Sequence, residues 1–163
     1  MNGTLAGVAS PMGLYYLAAK LRDRGWRRTA RLLQAVIFLL FKAVVPAEAT
    51  IGPGTVIAHG GVGVVIHPLA IVGRNVLINS GVVIGGRRRS GAPRIGDNVY
   101  LGTGCKILGS VTVGSGSIIG ANAVVTRDIP TRSIAVGIPA RVQRIDVDVE
   151  DYEDLPAPVR PNG

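Results

Sequence analysis

From residue 95 to residue 125 an aliphatic side chain returns at every sixth position: Ile95, Leu101, Ile107, Val113, Ile119 and Val125. Glycine follows four of them, at Gly96, Gly102, Gly114 and Gly120. A small or β-branched residue stands four places after each: Val99, Cys105, Val111, Ser117 and Ala123. An α-helix cannot hold this period, because its faces repeat near 3.6 residues. A two-faced strand alternates every second residue and needs no glycine at a fixed phase. Period six with phased glycine describes short strands, each followed by a bend, wound into a coil. The aliphatic residue points inward, and the small residue lets neighbouring turns close up. The pattern predicts a mainly β chain built as a parallel β-solenoid.

The same phase occurs upstream at Ile51 and Ile57, and again at Val72, Ile78 and Ile84. It slips twice. Ile57 to Val72 is 15 steps and Ile84 to Ile95 is 11, and neither is a multiple of six. A solenoid tolerates off-register residues where they leave the coil as loops, and loops on a rigid scaffold often carry chemistry. The first slip contains His59 and His67. The second contains Arg87, Arg88 and Arg89.

Ahead of the coil, residues 11–45 read as helix. Leu14, Leu17, Ala18 and Leu21 follow helical spacing, and Gly25 with Trp26 breaks the segment. A second helix is expected from about Arg27 to Val45, closed by Pro46. Its apolar run Leu32–Phe41 is too short to span a bilayer, which takes roughly 20 residues. Lys20, Arg22, Arg24, Arg27, Arg28 and Arg31 lie upstream of that run. Two readings follow: a helix packed on the solenoid end with a solvated basic face, or a helix lying on an anionic membrane surface. The first is preferred. The expected organisation is a helical segment over 1–45, a solenoid over 46–145 with a loop at 85–94, and an acidic, proline-containing tail over 146–163 without a core pattern.

Composition narrows the function. Hydrophobic residues at 47 % suffice for a core, and aromatics at 4 % suit a narrow coil filled by Val, Ile and Leu. Cys105 is the one cysteine, so an internal disulfide is excluded and a reducing, cytoplasmic compartment is expected. The N-terminus lacks a charged stretch leading into an apolar run, so no signal peptide is expected. The Asn2-Gly3-Thr4 sequon is read as chance. The net charge of +8 is uneven, with a basic body over 1–145 and an acidic end beyond it. Such a body suits an anionic membrane or a phosphorylated cofactor. Nucleic acid is the weakest partner, because aromatic platforms are sparse and no base-reading motif is present.

An ordered set of motifs carries a resemblance over about residues 14–145. These are Ala49-Thr50-Ile51-Gly52, His59-Gly60, Val64-Val65-Ile66, Ser80-Gly81-Val82-Val83-Ile84-Gly85-Gly86, Ala92-Pro93-Arg94-Ile95-Gly96, Gly104-Cys105-Lys106-Ile107-Leu108-Gly109 and Ala135-Val136-Gly137-Ile138-Pro139-Ala140-Arg141. The chain resembles the left-handed β-helix acyltransferases of the hexapeptide-repeat superfamily, and within them the serine acetyltransferase branch. The resemblance implies a homotrimer with sites between adjacent coils, acetyl-CoA as co-substrate and no metal. It also implies direct attack of an acceptor hydroxyl on the thioester, and it places His59 on the catalytic histidine. A neutral imidazole can take the proton of an alcohol as the carbonyl is attacked, which is worth roughly 10²–10⁴-fold in rate.

The departures are as informative. The branch carries an Asp directly before that His, where this chain has Ala58. A second Asp that orients the His corresponds to Val44, and a second His that faces substrate corresponds to Ala92. These losses predict a shared donor and a different acceptor, namely the hydroxyl of a sugar or polysaccharide precursor. A similar branch acts in exopolysaccharide assembly and also lacks the Gly-Glu-Thr step, which here reads His67-Pro68-Leu69. His67 is read as an acceptor contact, as a group that orients His59 from a neighbouring chain, or as a turn residue. Asn79 and Ser80 are further acceptor candidates. For the donor, Gly85, Gly86 and Gly104 would let backbone amides approach the pantetheine arm. Arg87, Arg88 and Arg89 are candidates for its phosphates, with a solvated basic loop as the equal alternative. Cys105 and Arg141 complete the donor set, although Cys105 fits a packed core position better than a nucleophile.

Other functions compete with this reading. Serine O-acetylation with a rebuilt pocket is the alternative within the class. A solenoid carbonic anhydrase needs three histidines on zinc, and this chain has two. A non-catalytic scaffold is consistent with Val44, Ala58 and Ala92. Gly61–Gly63 is not a dinucleotide fingerprint, because no helix is expected after it.

Overall fold

The structure, a computed structural model, describes residues 10–87 and 91–147 of the 163. Arg88, Arg89, the sequon and the tail from residue 148 lie outside the described residues.

Two helices come first, α1 (Pro11–Asp23) and α2 (Arg27–Phe41). Ser10 caps α1 by accepting from the Gly13 N–H, and Pro11 sits where its missing N–H costs nothing. Gly25, at φ 86°, turns the chain between the helices. Fourteen short strands follow among the described residues. Sheet B stacks β1 (Thr50–Ile51), β4 (Ile71–Val72), β7 (Arg94–Ile95) and β10 (Thr112–Val113). Sheet C stacks β2 (Val56–Ile57), β5 (Leu77–Ile78), β8 (Tyr100–Leu101), β11 (Ile118–Ile119) and β13 (Ile134–Val136). Sheet A stacks β3 (Val65–Ile66), β6 (Val83–Gly85), β9 (Lys106–Leu108) and β12 (Val124–Val125). All these pairings are parallel. The chain visits B, C and A in turn, and the fold is a left-handed parallel β-helix. One strand runs the other way: β14 (Arg141–Arg144) folds back antiparallel beside β13.

The six-residue phase becomes one column per face. Ile51, Val72, Ile95 and Val113 line the inside of B; Ile57, Ile78, Leu101 and Ile119 line C; Ile66, Ile84, Ile107 and Val125 line A. Each of these is at most 7 % exposed. Burying such a side chain is worth about 1.5–3 kcal/mol, so repetition holds the coil together. The phased glycines mark where coils touch. A Cβ on Gly52 would lie 2.6 Å from the Gly73 carbonyl oxygen, and one on Gly73 would lie 2.6 Å from that of Gly96.

The structure relocates the first slip. Ile66 is an inward residue of sheet A and lies six positions before Val72, in phase with it. The extra residues therefore fall between Ile57 and Ile66, and His67 stands outside the slip, at the corner after β3. At the other end, residues 134–136 still belong to the coil, with Ala135 fully buried.

Tyr15 ties α1 to the first coil. Its hydroxyl donates to the Ala49 carbonyl at 2.6 Å and accepts from the Ile51 N–H at 3.2 Å. Burial raises its pKa, opposed by the hydrogen bond from Ile51 and by Arg22. Tyr16 donates to the Gly52 carbonyl at 2.7 Å, and Arg22 donates to the Ala47 carbonyl. Helix α2 stops at Phe41, short of the expected Val45, because Lys42 turns left-handed at φ 53°. Val44 then pairs with Val65 at the edge of sheet A, with Val44 N–H on the Val64 carbonyl at 2.8 Å and Ile66 N–H on the Val44 carbonyl at 2.9 Å. Edge pairing satisfies backbone groups that a longer helix would leave unpaired at the coil top. No helix among the described residues is long and apolar enough to cross a membrane.

Candidate active site

His59 begins a short 3₁₀ turn, His59–Gly61, at the corner between sheets C and A. The extra residues of the slip must bulge outward and return within one corner. His59 does so at φ 51°, followed by Gly60 at 67°, Gly61 at 77° and Gly63 at 74°. Glycine accepts this conformation freely; a histidine there is uncommon and points to local constraint. The turn is also pressed inward, since a Cβ on Gly61 would lie 3.0 Å from Ile57 Cγ2 and 3.3 Å from Ala43 Cβ. The His59 side chain is exposed and makes no hydrogen bond or ion pair among the described residues.

Stacked coils extend this edge. Gly81 N–H donates to the Val62 carbonyl at 2.8 Å, and Gly104 N–H to the Ser80 carbonyl at 2.9 Å. A Cβ on Gly63 would lie 3.4 Å from Gly81 Cα, and one on Gly81 3.5 Å from Gly104 Cα. His59, Ser80 and Gly104 thus share one edge. Asn79 stands beside Ser80, but its side chain is buried and its amide donates to the Leu101 carbonyl at 3.0 Å. That amide is committed to the scaffold. Cys105 is fully buried, and burial pushes its thiol up to about 12 against the opposing pull of Lys106. Its side chain faces the core, so it reaches the surface only through its backbone.

The opposite edge of sheet A carries a second group. His67 is half-buried, and its Nδ1 accepts the Leu69 N–H at 3.1 Å, which assigns the ring proton to Nε2. That nitrogen abuts the loop after β6: a Cβ on Gly86 would lie 3.2 Å from it and 3.2 Å from the Gly91 carbonyl oxygen. Gly85 closes β6, accepting from Gly109 N–H at 2.9 Å, and Arg87 follows, exposed. Arg141 lies apart, at the start of β14, donating to the Ala140 carbonyl at 3.2 Å. The histidines therefore occupy opposite edges of one sheet, and the donor candidates divide between those edges and β14.

Sequence reasoning missed the exposure of Val62, three residues after His59, and the pairing of Val44 with Val65. Val62, Val44 and Val65 are 57 %, 42 % and 39 % exposed. The signal was available: Val62 stands between two glycines in the slip, outside the inward phase. Ala92 is half-buried in the loop at the other edge. Among the described residues, no three His, Cys, Asp or Glu side chains come together.

A coil of this kind, with a histidine on one edge and a glycine-arginine loop on the other, is a hexapeptide-repeat architecture. Residues 92–127 match the bacterial transferase hexapeptide family, described as six repeats. The chain is 39 % identical over 151 residues to a serine acetyltransferase of Bacillus subtilis strain 168, covering 88 % of this chain and 69 % of that one. Among solved structures, soybean serine acetyltransferase complexed with serine superposes with a TM-score of 0.76 at 36 % identity, over 81 % of this chain and 55 % of that chain. Serine acetyltransferase of Brucella abortus strain S19 in complex with coenzyme A gives 0.77 at 32 % identity, over 81 % and 54 %. The chain belongs to the hexapeptide-repeat acyltransferases, in the serine acetyltransferase family. It spans about half the length of these solved relatives.

Proposed function

We propose that this chain is an acetyl-CoA-dependent O-acetyltransferase in which His59 is the general base. The observation that carries the reading is an exposed, unpartnered imidazole on a constrained turn. The acceptor oxygen attacks the thioester carbonyl while His59 takes the hydroxyl proton. The carbon–sulfur bond then breaks, and the proton passes to the departing thiolate to give free CoA. Gly85 and Gly86 allow close approach of the pantetheine arm, and Arg87 with Arg88 and Arg89 receives phosphate. The compartment that fits this reading is the cytoplasm.

The relatives support L-serine as acceptor more than the sugar expected from the sequence. A sugar hydroxyl is the second reading, favoured by Val44 and Ala58, which stand where the resemblance implies carboxylates and offer an ammonium group none. The working unit is a homotrimer. His59 and the His67–Gly86 edge lie on opposite sides of sheet A, so a site that uses both draws them from two chains. The outward column Val44, Val65 and Val83, followed by Lys106 and Val124, gives such chains a largely apolar surface to share. The test follows free thiol release from acetyl-CoA with L-serine, then with neutral saccharides. Release with serine supports the first reading, and release with saccharide alone selects the second. No acetyl-CoA binding by calorimetry overturns both.

A further inference from the structure

Helix α2 has two unlike sides. Ala30 and Ile37 are buried inward. On the opposite side Leu32, Val36, Leu39 and Leu40 are 67 %, 37 %, 64 % and 68 % exposed. Their spacing of four, seven and eight residues from Leu32 places them in one stripe. A helix packed on a core by one face should be polar on the other, and an exposed apolar stripe marks an interaction surface. The expected solvated basic face is thus only part of this helix. Arg28 heads the stripe one turn before Leu32, and Trp26, 63 % exposed, stands at the turn between the helices.

The charge around the stripe is mostly basic, although Glu48 reaches α2 and accepts from the Gln34 amide at 3.2 Å. From Lys20 to Lys42 there are seven basic side chains and one acid, Asp23. Asp23 is engaged by Arg22 at 2.7 Å. The side chains of Lys20, Arg24, Arg27, Arg28, Arg31 and Lys42 make no hydrogen bond or ion pair among the described residues. A second copy docking through α2 would bring Arg27, Arg28 and Arg31 against their own kind, with Glu48 the one carboxylate beside them. An anionic bilayer supplies what both features lack: acyl chains for the stripe and phosphates for the guanidiniums. Helix α2 is about 22 Å long, so it lies in the interface plane without crossing it.

We propose that α2 docks on an anionic lipid surface through Leu32, Val36, Leu39 and Leu40, with Trp26 and the arginines at the headgroups. This holds independently of which hydroxyl is acetylated. The test is co-sedimentation of the full chain with phosphatidylcholine vesicles, plain or containing about 30 % phosphatidylglycerol. Two triple variants accompany it: Leu32→Gln/Leu39→Gln/Leu40→Gln and Arg24→Gln/Arg27→Gln/Arg28→Gln. Circular dichroism and solution mass check each variant. The wild type should prefer the anionic vesicles, with binding weakened by salt. The leucine variant should lose about tenfold or more, and the arginine variant on the order of a hundredfold. Equal binding to both vesicles, or binding unchanged in both variants, overturns the proposal. So does a drop in oligomer mass in the leucine variant, which would assign the stripe to a second copy. Thiol release by the variants in lipid-free solution reports separately on the acetyltransferase reading.

Discussion

The two edges of sheet A each carry a histidine, and the scaffold treats them in opposite ways. His59 rides on a left-handed turn rich in glycine, exposed and without a side-chain partner. His67 sits directly after a regular strand, half-buried, with Nδ1 taken by the Leu69 amide and Nε2 held against Gly86. A general base needs a free lone pair on a nitrogen that substrate can reach. His59 has that, whereas His67 has spent its lone pair on the backbone and keeps only a donor. Residue type alone would not separate them; the hydrogen-bond inventory does. One edge leaves its imidazole without a partner, and the other ties its imidazole to the backbone.

The strongest way to break this contrast is to remove each imidazole in turn. His59→Asn should lower turnover by roughly 10²–10⁴-fold while acetyl-CoA binding by calorimetry stays near wild type. His67→Asn should lower turnover by less than about tenfold. Equal losses from the two changes would erase the distinction. The loop itself comes next. Gly86→Ala would place a methyl against Nε2 of His67 and the Gly91 carbonyl, and such overpacking costs about 1–3 kcal/mol. It should raise the Kd for acetyl-CoA; an unchanged Kd would separate the loop from the donor.

The scaffold beneath the edges is tested by Tyr15→Phe. Removing the hydroxyl strands the Ile51 N–H and the Ala49 carbonyl, at a cost of about 1–3 kcal/mol, read from the urea midpoint. An unchanged midpoint would mean that water replaces the hydroxyl. The smallest effect belongs to Cys105. Its thiol is raised from 9.0 to about 12 in the fold, so the folded chain keeps a proton that the unfolded chain loses above pH 9. Stability from this group is full below pH 9 and falls as pH rises toward 12. Cys105→Ala should flatten that fall in urea titrations at successive pH values, with turnover unchanged at neutral pH. A curve as steep as wild type would move the alkaline sensitivity to Tyr16, whose hydroxyl burial also raises to about 12.

The phase of six was legible because it depends on side-chain volume at local positions, and every coil repeats the demand. Ile95 to Val125 became inward columns for that reason. The candidate His59 was legible as a motif on a slip. The pairing of Val44 with Val65 was not, because it joins residues twenty-one apart at the edge of sheet A. The sequence also joined His67 to the slip, since Ile66 was not recognised as re-entering the phase.

By itself, then, the sequence determined the solenoid, the two helices ahead of it and the histidine worth testing, all of which follow from residues close in the chain. Tertiary structure decided where α2 ends, which nitrogen of His67 is taken, and that Asn79 turns inward. It also decided that the leucines of α2 face outward. These outcomes depend on which backbone groups and surfaces meet from distant positions, and a local pattern holds no record of its partners.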